Sequence, residues 1–329
     1  MIDHQTIELN IECSSLNWVG DRLIDWTSDR VYFDPNNEGK FFNKYSFGDR
    51  FDGVKSVRNG EYIVIYEKLG TKGLVLKEGE LVREINRSYY CSDAYEFPIE
   101  LDSNNDALII HCPEQYNKLE IEHLETGERL SNESEKDFED IFYSRLQVSP
   151  NKQFLLNAGW VWHPFDVLTI VDLDKFRSDP STLNQVDAIS CISSEVSSAR
   201  FLLDSRILVS TSLEDPLTDR DNQLPPNHVG IYNPVNQKIE SKFELDEPFG
   251  NLWPINDEMA WDFFQYPKII DIKKGIILAS TKNVKSGEQS SSIIRGLDNL
   301  PKIAVSENGL KVAISNQKRV EILQIKNDA

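Results

Sequence analysis

The sequence has little that would cross-link a chain or send it through a membrane. Its four cysteines, Cys13, Cys91, Cys112 and Cys191, are scattered and never stand at Cys-x-x-Cys spacing. That excludes a disulfide framework or a cysteine-based zinc site and predicts isolated buried thiols in a reducing compartment. The first residues, MIDHQTIELNIECSS, have neither a basic start nor an apolar core, so no secretory signal is expected. No apolar run approaches the ~18 residues that suggest a membrane span. The expectation is a cytoplasmic protein that does not engage a membrane.

Positive charge is also scarce. Thirty-five basic residues stand against 54 acidic ones, for a net charge of -19. Nucleic acid and anionic lipid both require cationic surface, so neither is expected as a partner. The deficit is uneven: residues 93–140 hold 15 acidic and 3 basic side chains, residues 261–329 hold 7 and 11. The acidic run reads as a solvated face that keeps the chain soluble. The sharper reading is a steering surface for a basic partner, which salt would screen.

Catalytic signatures are missing as well. The five histidines (His4, His111, His123, His163, His228) never stand at ligand spacing, so no metal site and no cofactor is expected. There is no Gly-x-Ser-x-Gly elbow. GDRFDGVKS (48–56) comes within one residue of a phosphate loop, but strand follows it where such a loop needs a helix. The stretch 213–228, with Asp215, Asp219 and Asp221, lacks the glycine and distal glutamate of a calcium loop and reads as a solvated excursion.

What the chain does contain is strand. Runs of Val, Ile, Tyr, Phe and Leu alternate with Asn, Asp, Gly and Pro. One turn recurs at Gly20-Asp21, Asn59-Gly60, Asn104-Asn105, Pro150-Asn151, Asp204-Ser205, Asn256-Asp257 and Asn308-Gly309. Seven units at this period are too long for a leucine-rich solenoid and fit four-stranded blades. The predicted fold is all-β, a seven-bladed β-propeller of antiparallel four-stranded blades forming a single domain over 1–329. A lone blade cannot bury both faces, so the ring must close. The last unit supplies only KIAVS, KVAIS and RVEILQI, and TIELNIE (residues 6–12) is expected to complete it.

SPNKQFLL (149–156) and SENGLKVAI (306–314) resemble the Ser-Pro-Asp-Gly turn of WD-repeat and related seven-bladed propellers. The Gly-His and Trp-Asp dipeptides of true WD repeats are absent. The resemblance therefore implies a fold and carries over no functional residue. Most members of that family are binding scaffolds, with enzymes a minority.

The densest aromatic stretch is AGWVWHPFD (158–166), with Trp160, Trp162, His163 and Phe165. Connections predicted on the same face add Trp26, Tyr116, Trp261, Phe264 and Tyr266, and then Tyr89, Tyr90, Tyr95, Phe142, Tyr143, Phe249 and Trp253. With Arg145 and Arg200 nearby, this is the composition of interface hot spots. Packing of the same rings between blades is the competing reading. The set predicts a monomeric, non-catalytic binding protein that holds a protein or peptide. One version is an immunity- or inhibitor-type protein neutralising a basic partner. The alternative is a propeller enzyme of hydrolase or lyase type, or a small-ligand receptor, with its site at the mouth of the central channel. His163, Arg145, Asp166, Asp262 and Arg200 would be its acid–base and anion-holding groups. A deep polar funnel holding at least two of these groups within hydrogen-bond reach would favour that alternative, and a channel plugged by apolar side chains would remove it.

Overall fold

A computed structural model describes residues 2–36, 47, 50–103, 106–131, 138–216, 221–296 and 300–326. Seven antiparallel sheets follow one another along the chain, and the fold is an all-β, seven-bladed propeller. Blade 2 shows the pattern in full: Gly53–Val57, Tyr62–Tyr66, Lys72–Lys77 and Glu80–Asn86, each paired with the next. Blades 5 and 6 repeat it. Blades 1 and 3 show three strands each among the described residues, and the Asn104-Asn105 turn lies outside them. The first strand of each blade is innermost, and these strands neighbour one another in ring order. Among the described residues, no helix is long and apolar enough to cross a membrane.

Among the described residues the core comprises seven apolar clusters, one at each seam between blades, and an eighth, aromatic one of Tyr95, Phe142 and Trp160. Strand alternation produces this arrangement. In the second strand of blade 4, Phe154, Leu156 and Ala158 face blade 5, while Leu155 faces blade 3. Both faces are therefore buried, which explains the near-continuous apolar runs.

The two similar turns fold alike. Ser149 Oγ lies 2.7 Å from Asn151 Oδ1 and accepts from Phe154 N at 2.9 Å; Ser306 Oγ lies 2.8 Å from Asn308 Oδ1 and accepts from Lys311 N at 2.9 Å. Asn151 and Asn308 each accept from the backbone N–H two residues on, at 3.1 Å. The next residue is left-handed in both, Lys152 at φ 61° and Gly309 at φ 70°. At 309 only glycine fits, because a Cβ there would lie 2.9 Å from Ile255 Cα.

The amino-terminal strand closes the ring, but at a different position from TIELNIE. Ile2–Glu8, rather than residues 6–12, pairs along Arg319–Ile325. Cross-strand charges favour this register: Arg319 meets Glu8 at 2.8 Å, His4 meets Glu321 at 2.8 Å, and Lys326 meets Asp3 at 3.2 Å.

The acidic run is only partly a solvated face. Glu120 and Glu122 are buried in blade 3, and the run is met by cations of blade 2, by Lys152 of blade 4 and by its own Lys118 and Arg129. Arg83 reaches Glu122 at 2.9 Å, Lys77 reaches Glu125 at 2.7 Å and Lys55 reaches Glu100 at 2.5 Å. Within blade 3, Lys118 holds Glu120 at 2.7 Å. Burial would raise the Glu122 carboxyl. The contact with His111 and the charge of Arg83 outweigh it and bring the group down to about 2.

Candidate functional site in the central channel

The inner strands enclose a channel of about 1000 Å³ whose wall is mainly polar. One end is ringed by the recurring turns, through Asp21, Asn59, Lys152 and Asn308. The other end is crossed by a strap in the connection between blades 6 and 7, of which residues 281–296 and 300–301 are described. Ser290 packs on Gly250 of blade 6. Ser291 and Ser292 donate their hydroxyls to Asp166 of blade 4, and Ser292 N adds a bond of 2.9 Å. Ile293 pairs with Tyr95, and Ile294 N donates to Ala94 O at 2.8 Å, ahead of blade 3. Contact with blades 6, 4 and 3 in turn carries the strap across the ring, with Gln289 lining the channel beneath it.

The charge of the wall departs from that of the chain. Eight basic side chains line it (Lys55, Arg58, Lys68, Arg145, Lys152, Arg200, Lys302, Lys311) against five acidic ones (Asp21, Asp52, Glu96, Glu100, Glu307). Four of the basic groups are held by carboxylates at close range: Lys55 by Glu100 at 2.5 Å, Lys311 by Asp21 at 2.6 Å, Lys152 by Asp102 at 3.0 Å and Arg145 by Asp166 at 3.4 Å. Arg58 lies 3.9 Å from Glu61. Lys68, Lys302 and Arg200 have no carboxylate partner among the described residues.

Arg145 and Arg200 differ sharply in their surroundings. Arg145 sits in the left-handed region (φ 49°), between two short segments, Ile141–Phe142 and Gln147–Val148, that pair with the same strand. Its Nε donates to Ala158 O at 2.8 Å and its Nη1 to Ser197 O at 2.6 Å. It is a clamp between blades 4 and 5. Arg200 instead lies over the ring of Trp253, its Cζ 3.1 Å from the centroid. Burial lowers the Arg200 guanidinium to about 9; Glu96 and Glu100 oppose this and Arg145 adds to it. It remains a cation at neutral pH, with N–H donors directed at no protein acceptor among the described residues.

The other candidates divide by burial. Trp160, Tyr143 and Trp261 are interior, not parts of an exposed aromatic rim. Trp160 lies on strand Phe154–Val161 and stacks on Phe142 at 3.8 Å, with both faces of its strand covered. Tyr143 belongs to the seam between blades 3 and 4. Trp261 donates its indole N–H to Gly309 O at 2.9 Å across the seam between blades 6 and 7. Tyr266 is half-buried and hydrogen-bonded to Glu247. Trp162 is 44% exposed and lies beside Tyr90, which follows the more exposed Tyr89 in the chain. His163 and Phe165 line a second depression of about 740 Å³ next to the strap, with Glu195, Glu214 and Asp215. Asp219 lies outside the described residues, and no group of His, Cys, Asp and Glu suited to a metal occurs among those described.

Asp166 and Asp262 are both engaged by structure. Asp166 holds the strap, while Asp262 accepts from Gly250 N at 3.1 Å and Asn251 N at 2.9 Å and meets the fully buried Lys268 at 3.0 Å. Nothing local in the sequence marks Lys68, Lys302, Gln289 or the strap as belonging to the channel. The one available signal was the position of Arg200 on an inner strand.

No protein-family model matches the chain, and no curated protein matches it in sequence. Many solved chains resemble it in fold. One of them, described as "Streptogramin B lyase structure", superposes with a TM-score of 0.61 at 10% identity, over 99% of this chain and 98% of that one. At that identity the likeness shows the seven-bladed fold alone.

Proposed function

We propose that this propeller binds a small molecule in its central channel. The observation behind this reading is the channel itself: deep, polar, covered at one end, and lined by an arginine that lies on a tryptophan with no carboxylate partner. A propeller serving only as a scaffold has no need for such a group, because an unpaired cation in a confined wall is unfavourable until a ligand meets it. The five groups suggested for acid–base chemistry do not converge: Asp166 and Asp262 are occupied, and His163 belongs to the other depression. Binding is therefore the better-supported reading, and the named structural neighbour, a lyase by its title, adds no reaction to it. The test is a thermal-shift screen of small anions, cations and neutral sugars, with hits measured by calorimetry. Ser56 lines the channel, so Ser56→Trp should obstruct it while the circular dichroism spectrum stays unchanged. Hits should bind one to one and vanish in that variant. A screen without hits, or hits that survive obstruction, would overturn the reading.

A second reading rests on Tyr89, Tyr90 and Trp162, an exposed aromatic patch close to Asp140, which accepts from Tyr116 at 2.6 Å. Such a patch suits a protein or peptide partner, a basic one in particular, and the WD-repeat-like turns and a cytoplasmic setting accord with it. If this face carries the function, Trp162→Ala combined with His163→Ala weakens partner binding by more than ~2 kcal/mol and leaves the fold intact.

A further inference from the structure

We infer that the channel ligand is a small oxyanion, a carboxylate or phosphate, held by Arg200 against the face of Trp253. This deepens the channel reading and rests on it. Three cations of the wall, Arg200, Lys68 and Lys302, lack carboxylate partners, in a chain whose acids outnumber its bases by 54 to 35. Three acids of the wall, Asp52, Glu96 and Glu307, likewise lack a cation partner among the described residues, so the inference rests on the surroundings of Arg200 and not on the net charge of the lining. Arg200 is the anchor because its geometry is already set. The indole holds the guanidinium at 3.1 Å, and the planar fork of an arginine can present parallel N–H donors to two oxygens of one ligand. Glu96 and Glu100, the nearest acids acting on it, are turned elsewhere: Glu96 accepts from Tyr66 at 3.0 Å and Glu100 from Lys55 at 2.5 Å. The strap covers one end, so the ligand passes through the ring of turns at the other, where Lys152 and Lys311 stand beside their own acids.

Calorimetric titration of the full chain with sodium phosphate and with sodium succinate, at constant ionic strength, tests this. Spermidine and glucose serve as cationic and neutral controls. One of the two anions should bind with one-to-one stoichiometry. Arg200→Gln should weaken it on the order of 10- to 100-fold, and Arg200→Lys by less, since the charge remains while the fork is lost. Phosphate alone or succinate alone would identify the oxyanion, and both outcomes support the inference. Anion binding unchanged in Arg200→Gln would overturn it. Spermidine or glucose binding that Ser56→Trp abolishes would overturn the anion assignment and leave the channel reading standing. No binding by any probe would defeat both. If Arg200→Gln does not fold, phenylglyoxal labelling of the wild-type protein replaces it: phosphate or succinate should slow labelling at Arg200, and an unaltered rate would overturn the inference.

Discussion

At the seam between blades 2 and 3, Arg83 meets Glu122 at 2.9 Å and Lys77 meets Glu125 at 2.7 Å, whereas in the channel Arg200 meets an indole ring and no acid. Arg83 and Arg200 are the same residue type in similarly confined positions. At the seam each cation has an anion, and Arg83 also donates to Leu124 O at 2.9 Å and His123 O at 3.3 Å. Charge there holds two blades in register. In the channel Arg200 has an indole face and, among the described residues, no carboxylate within ion-pair distance. Seam cations should therefore govern stability and be silent in binding, and the channel cation should behave the opposite way.

Four experiments can break or sharpen that contrast. The largest effect belongs to Arg83→Met, which takes the nearest cation from the buried Glu122 and leaves it His111 at 3.2 Å and Arg129 at 3.5 Å; it should cost about 3 kcal/mol in urea unfolding while leaving channel affinity unchanged. A loss below about 1 kcal/mol would show that the seam does not depend on this pair. The acid limb of the stability curve comes next. The folded-state pKa of Glu122, about 2, is depressed from the ordinary 4.5. Its contribution is therefore fully present above pH 4.5 and is lost as pH falls from there toward 2, amounting to at most about 3 kcal/mol. Glu122→Gln should flatten that limb, and an unaltered slope would assign the acid sensitivity elsewhere. Arg200→Gln should change stability by less than about 1 kcal/mol, in either direction, because it removes a desolvated charge along with a stacking contact. A large destabilisation would make Arg200 a structural residue like Arg83. Smallest is Lys77→Ala: its bond to Glu125 is exposed, and the melting temperature should not move beyond error.

Much of the fold was legible because its turns are chemically distinctive. Asn59, at φ 52°, and Gly309, at φ 70°, are residue types that tolerate left-handed backbone, and they recur at blade spacing. The register of the closing strand was less legible, because it depends on charges such as Asp3 and Glu8 meeting partners more than 300 residues away. Aromatic placement was least legible. Trp160 and Trp162 stand two apart on one hairpin, and one is buried and the other exposed only because the strand ends at Val161. As for the site, Arg200 and Trp253 could be named as residues, but their stacking could not, since they come from different blades. The strap was hidden altogether: nothing in the string Ser290-Ser291-Ser292 announces that it meets an aspartate about 125 positions earlier.

The strap also determines the traffic. With one end bridged by the strap's bonds to Asp166, a molecule bound as proposed would enter and leave by the turn end, near Asn59 and Asn308. Two molecules could not occupy it by opposite routes, so a competitor must wait for the first occupant to leave. Any occupant longer than the channel is deep would show its far end to solvent on the turn side.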